Sequence, residues 1–279
     1  MIEYERLKLV KITLAGNPVQ GEDRLVMHAA MEAGHILLEN GAEIDRVEET
    51  MDRICRHFGV ANASFFVLAN GLFATDESRN EYGGQFADVR HIPVHGARLD
   101  KVASVNQLSR EMEAGRYTPE ELLEELKKVR ELPEKPKWLQ VIASGVGSAC
   151  FCYLFGGGYA DCLGSFIAGL FLYVFFLYIE KGRLKKLMHS IAGGALVTCV
   201  CVICFHLGLG DSLNHMIVGS VIPLVPGVAF TNGIRDIGNE DYIAGTVRLL
   251  DAILVFFGIA AGVGIMLMIL RDIFGGALL

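Results

Sequence analysis

Charge is what the second half of this chain lacks. Residues 1–137 hold 18 Lys/Arg and 24 Asp/Glu, a net of −6, whereas residues 138–279 hold 7 and 8, a net of −1. The whole chain has a net charge of −7 at pH 7, a mean hydropathy of +0.40 and 52% hydrophobic residues, more apolar than an average globular domain. An acidic balance of this kind argues against a nucleic-acid partner. The motifs of soluble catalysis are missing as well. There is no Walker loop, no G-x-S-x-G and no H-E-x-x-H, and Ser64 and Ser78 have no obvious His/Asp setting. Neither an enzyme nor a cofactor is therefore expected. The stretch MIEYERLKLVKITLAG scatters charge where a signal peptide needs an apolar run, so residues 1–137 are expected to stay in the cytoplasm. Of the seven cysteines, only Cys55 lies in the charged half. The others sit in apolar runs, and a C-x-C pair on a helix points about 200° apart. Apolar packing is expected of them, without a disulfide framework or a metal.

Five apolar segments come close to the ~20 residues that a helical span requires. They cover residues 139–157, 159–179, 188–209, 213–233 and 252–270. The loop Glu180-Lys181-Gly182-Arg183-Leu184-Lys185-Lys186 is the most basic short loop and is placed in the cytoplasm. Lys135 and Lys137 agree with that placement, the loop 232–248 returns inside, and Arg271 dissents weakly. Glycines recur in the spans, Gly145, Gly169, Gly194 and Gly262 among them, and permit close helix approach. Five helices with such faces suit a bundle around a pathway better than a lone anchor, so the expected fold is an α-helical membrane bundle, residues 138–279, preceded by a cytosolic α+β domain, residues 1–137.

In that domain, Met27 to Leu38 reads as a helix capped by Asn40-Gly41. Ile44, Val47, Met51, Ile54, Cys55 and Phe58 recur at helical spacing up to Gly59. Ala63 to Leu68 and Gly71 to Thr75 read as a hairpin around Asn70-Gly71, and Phe86 to Val94 as a further strand, giving a small antiparallel sheet. Leu99 to Glu113 and Thr118 to Glu131 are helical, the latter opening with a capping box and Pro119. His28, Glu32, His35 and Glu39 share one helix stripe. The spacing suits metal ligands or a solvated face, and the solvated face is expected. His91 and His95 flank Pro93 on one strand face, where an exposed strand is expected over a metal or acid–base role.

The membrane half concentrates its unusual residues in PLVPGVAFTNGIRD, 223–236. Pro223 and Pro226 remove backbone donors from an apolar helix. At membrane depth such a break is tolerated where the freed groups face protein or a wet cavity, and transporters use discontinuous helices to present them to substrate. Gly227, Thr231 and Asn232 follow, then Arg235, which can pair a carboxylate bidentately. The competing reading is a kinked structural helix with Arg235 meeting lipid phosphate. Ionisable groups near spans are functional hypotheses by default: Asp161, and Asp251, which shares a helix face with Arg248 and pairs with it at the interface or acts in transport. Asp211 is expected in a solvated outer loop.

The stretches G-A-E-I-D-R-V-E-E-T-M-D-R-I-C-R-H-F-G (41–59), R-L-D-K-V-A-S-V-N-Q-L-S-R-E-M-E-A-G (98–115) and P-L-V-P-G-V-A-F-T-N-G-I-R-D-I (223–237) together resemble the ThrE-type threonine/serine exporter family, in its split, YjjP-like large-subunit form. The resemblance implies a secondary exporter of small amino acids in the cytoplasmic membrane. For some members it implies a dicarboxylate such as succinate, with a small YjjB-like membrane subunit as partner; the small-residue helix faces and the second half that the split form lacks together point to an oligomer. On this reading Pro223, Pro226, Gly227, Thr231, Asn232, Arg235 and Asp236 shape the translocation site. Arg235 meets a carboxylate, and Asp236, Asp241 or Asp251 meets the ammonium or carries a proton. A membrane-anchored sensor or hydrolase is the reading from a different class.

Overall fold

The computed structural model describes residues 18–76, 86–93, 96–180 and 184–274. The chain divides into two compact units. One comprises Met1–Leu132 with Thr231–Arg248, and the other Pro133–Phe230 with Leu249–Leu279.

The first unit opens with α1 (Pro18–Glu39), longer at its start than the apolar pattern suggested, and α2 (Ile44–His57). Each ends in a left-handed glycine: Gly41 has φ 83° and Gly59 has φ 85°. Behind each, two amides return to the last turn, Ala42 N to Leu37 O at 3.0 Å and Val60 N to Cys55 O at 2.9 Å among them, so carbonyls at the helix ends find donors. Strands β1 (Ala63–Leu68), β2 (Gly71–Asp76) and β3 (Phe86–His91) form an antiparallel sheet in that order. Leu68 pairs with Gly71 across a two-residue turn. The expected third strand thus ends at His91, and Val94 and His95 lie outside the described residues. Helices α3 (Leu99–Glu113) and α4 (Pro119–Arg130) complete the α+β unit. α4 starts in the expected capping box: Glu121 N donates to Thr118 Oγ1 at 3.3 Å, and Thr118 N to Glu121 Oε2 at 2.9 Å. One face of each element meets in a core of Met27, Met31, Ile36, Met51, Ile54, Leu72, Met112 and Leu126.

The second unit holds α5 (Lys137–Leu154), α6 (Tyr159–Val174) running into a π-helical turn (Phe175–Glu180), α7 (Lys186–His206) and α8 (Leu213–Val221). A 3₁₀ turn (Ile222–Leu224) leads to α9 (Gly227–Gly238), which begins in this unit, and α10 (Tyr242–Phe274) ends in it. Among the described residues, three helices are long and apolar enough to cross a membrane: Tyr159–Tyr178, Lys186–His206 and Tyr242–Ile273. The pair Leu213–Leu224 and Gly227–Gly238, bent by 67°, makes a fourth if it is one broken span. Helix length and apolarity therefore give fewer than five spans. α5 has 18 residues and buries Ser144 and Ser148. Glycines set the close approaches. A Cβ on Gly169 of α6 would come within 2.7 Å of the Ser144 carbonyl on α5, and one on Gly194 of α7 within 2.6 Å of the Ile259 carbonyl on α10.

The sequence is also corrected at residues 232–248, expected as a loop. α9 runs to Gly238 and α10 starts at Tyr242, with Glu240 at φ 69° in the turn between them. This helical hairpin packs in the first unit, where Ala244 is fully buried in the core. Its polar residues find partners there, so the helix does not stop where apolarity does.

Candidate functional site

The helix break is local to the second unit. Pro223 and Pro226 have no amide to give the carbonyls four residues back. The Ile222 carbonyl is taken instead by Val225 N at 3.0 Å, and Gly227 N turns to Val225 O at 2.9 Å. Pro226 then supplies the first carbonyl of α9, which accepts from Phe230 N at 3.0 Å. Phe230 lies edge-on to Phe256 of α10, with centroids 5.5 Å apart. Pro223 and Gly227 are exposed. This stretch thus replaces a regular ladder by two tight turns.

The other residues of the stretch fall in the first unit, where they close on the α1–α2 turn. Asn232 Nδ2 donates to the Gly41 carbonyl at 2.8 Å. The Arg235 guanidinium pairs with Glu43, and Asn239 donates to Asp45. Asp236 is 2% exposed and receives Arg248 Nη1 at 2.9 Å. It also accepts from the Ile44 amide, the first of α2, where a helix favours an anion. Arg248 spends its second nitrogen on the Ala42 carbonyl, also at 2.9 Å. Asp241 Oδ1 accepts the Ala244 amide at 3.3 Å and so caps α10. Nearby Glu48 reaches the Val67 amide of β1 at 3.0 Å. The hydrogen bond from Arg235 holds the Glu43 carboxyl below its ordinary range, whereas burial pushes Glu48 above it.

Of the predicted site residues, the structure brings together Asn232, Arg235, Asp236 and Asp241. Thr231 begins the part of α9 that belongs to the same unit. Asp251 is elsewhere, on α10 in the second unit, paired with Lys186 of α7. That overturns one of the two readings of Asp251, the Arg248–Asp251 pair. Arg248 turns to the buried Asp236, where the uncompensated charge is costlier, and Asp251 is left for Lys186. The sequence reading missed Glu43, Glu48 and Asn239 as partners. For Glu43 and Glu48 the signal was the same 41–59 stretch that carries the family resemblance; Asn239 lies just past the 223–237 stretch.

The helix stripe is not the solvated face expected of it: Glu32 is buried and His28, His35 and Glu39 are half-buried. Glu32 holds Arg130 at 2.8 Å and Arg90 at 3.3 Å, and Arg90 also bonds Asp88 at 3.0 Å. His28 lies edge-on to Phe86, and His35 lies 3.8 Å from Glu39. Burial lowers the pKa of both histidines. Among the described residues no group of three or more His, Cys, Asp or Glu is arranged to hold a metal. His91 is exposed on β3; His95 and Ser78 lie outside the described residues. Asp161 is 2% exposed and accepts the amides of Asp211 and Ser212 at 2.7 Å and of Gly158 at 2.9 Å. It ties two loops of the second unit together, and Asp211 is exposed, as expected.

Apolar, glycine-notched helices and a proline-broken helix pair, beside an α+β unit, suit a membrane protein. The particular family follows from comparison. The chain belongs to the ThrE family, described as "Putative threonine/serine exporter", whose model matches residues 28–270. It is similar to the "Probable succinate transporter subunit YjjP" of Klebsiella aerogenes, 23% identical over 249 residues, 88% of this chain and 93% of the relative. The protein of the same name from Escherichia coli is 22% identical over 243 residues, 87% of this chain and 93% of the relative. The "Threonine/serine exporter" of Corynebacterium glutamicum is 22% identical over 256 residues, 86% of this chain but 50% of that longer relative. No solved structure matches the chain.

Proposed function

We propose that this chain is the larger subunit of a secondary-active exporter of small amino acids, threonine and serine, in the cytoplasmic membrane, coupled to protons. It would cross the bilayer five times, with α5 and the broken pair each counted as one span and the first unit in the cytoplasm. A small YjjB-like membrane subunit would complete it. The observation that carries this reading is the broken helix pair at residues 223–227 in a chain of the ThrE family. There, Pro223 and Pro226 take two amides out of the helical ladder ahead of Gly227, the kind of break that transporters place beside a solute.

In the first unit, Arg235 is exposed and its guanidinium is held by a carboxylate of its own chain, Glu43. A substrate carboxylate would take the place of Glu43. Thr231 and Asn232 stand on the same helix with neutral donors and acceptors. Asp236, Asp241 and Asp251 are the acids for the substrate ammonium or the proton. A second reading, export of a dicarboxylate, is favoured by the printed name of the Klebsiella and Escherichia relatives.

The test is efflux of labelled threonine, serine and succinate from vesicles holding this chain and its small subunit, with Arg235→Ala beside the parent. Loss of efflux in the variant supports the carboxylate role. Full efflux in the variant shows that Arg235 does not meet the substrate.

A further inference from the structure

We infer that the outward face of the β1–β2–β3 sheet is a contact surface for a second copy of this chain. One face of the sheet covers the core through Val67, Leu72 and Ala74. The other carries Phe66, Phe73 and Val89, which are 56%, 37% and 65% exposed. The register sets them side by side, Phe66 opposite Phe73 and Phe73 opposite Val89. The two phenylalanine rings lie 6.0 Å apart. They form one continuous apolar row across all three strands, where a solvated antiparallel sheet would alternate to polar residues.

Charge decides what fits. The outward positions, alternate residues of each strand, include Ser64, Thr75 and His91 at the margins and no Asp, Glu, Lys or Arg. Without a basic residue the face has nothing to draw it to anionic lipid, and without charge of either sign it has nothing to select a charged peptide. Its complement is another flat, neutral, apolar sheet face, which a second copy supplies by symmetry. Two chains of net charge −7 repel elsewhere, so a neutral face is where they can meet without like charges opposed. Sheets stacked face to face pack about 10 Å apart with such side chains interdigitated. Copies held in one bilayer are concentrated, so a small interface suffices to associate them.

The test places a photo-cross-linking benzoylphenylalanine at Phe73, and separately at Val89, in the full chain in membranes with its small subunit. Two differently tagged copies are co-expressed. Native shielding of the buried Cys55 from a maleimide shows that each variant is folded, and position 89 serves if position 73 does not fold. The expected result is an adduct bearing both tags, mapped to β1–β3 of the second copy. Phe66→Ser in that copy should weaken association roughly tenfold or more, as loss of a central aromatic does. An adduct to another protein, to lipid or only to its own chain, or no adduct at both positions, overturns the proposal.

Discussion

Replacing Arg248 with alanine exposes the energetics of the α1–α2 turn and the helical hairpin that grips it. The side chains of Arg248 and Asp236 are 10% and 2% exposed, and their charged atoms are 2.9 Å apart. Truncating Arg248 leaves the Asp236 carboxylate buried without its cation, the Ile44 amide still facing it, and takes a donor from the Ala42 carbonyl. Breaking one side of such a buried pair costs about 3–5 kcal/mol. The surviving amide contact at the start of α2 offsets part of this, so we expect about 3 kcal/mol. That is a large fraction of the ~5–15 kcal/mol stability of an ordinary domain. Removing both charges, with Asp236→Asn and Arg248→Met, should cost less than the sum of the single changes, by about 1–3 kcal/mol of coupling. The assay is urea unfolding of the detergent-solubilised full chain, read by exposure of Cys55 in the core of the first unit. If Arg248→Ala stays within ~0.5 kcal/mol of the parent, or the double change is strictly additive, the pair does not hold the hairpin.

Further expectations concern single groups. Burial raises the folded pKa of Glu48 above its ordinary 4.5, so the folded state binds this proton more tightly, and stability falls as pH rises through the window from 4.5 to the raised value. Glu48→Gln keeps an acceptor for Val67 N–H, so unfolding curves across that window should lose this slope and the variant should be at least as stable as the parent at pH 7. Glu43 has the opposite sign. Its pKa is lowered by Arg235 from 4.5, so its contribution is present above 4.5 and is lost as pH falls through the folded value. Glu43→Gln should therefore flatten the acid limb below pH 4.5 in the same titration. Cys55 is buried and its thiol is pushed up to about 12. It should resist maleimide at pH 7.5 in the native protein, and mass spectrometry should find it modified only after unfolding. Gly169→Val would force a side chain against the Ser144 carbonyl and Gly145. It should destabilise the α5–α6 pair by about 1–3 kcal/mol, measured as a lower detergent melting temperature, whereas Gly147→Val, which meets nothing within 4 Å, should not.

The elements of the first unit were legible because their signals are local. The repeat Ile44, Val47, Met51, Ile54, Cys55, the glycines at 41 and 59 and the box at Thr118–Glu121 each fix a helix or its end within a few residues of chain. The break at Pro223 and Pro226 was legible for the same reason, since a missing amide needs no partner to be noticed. The hairpin Thr231–Arg248 was not. Its polarity reads as a loop leaving a membrane, and only the pairing of Arg235, Asp236, Asn239 and Arg248 with residues about 200 positions earlier shows why it stays helical. The partners of charged residues are the least local feature of a sequence. Asp251 found Lys186 across 65 positions, not Arg248 one turn away. Asp161 carried no sequence cue that three backbone amides would surround it.

The central claim, that this chain is half of an exporter, is tested most directly by solute efflux from vesicles that hold the chain alone, the small subunit alone, or both. The account predicts that labelled threonine or serine leaves only the vesicles with both, faster under an imposed proton gradient. Succinate leaving in their place would move the substrate to the dicarboxylate reading. Vesicles with both chains that retain all three solutes, or that release them equally without this chain, would contradict the claim.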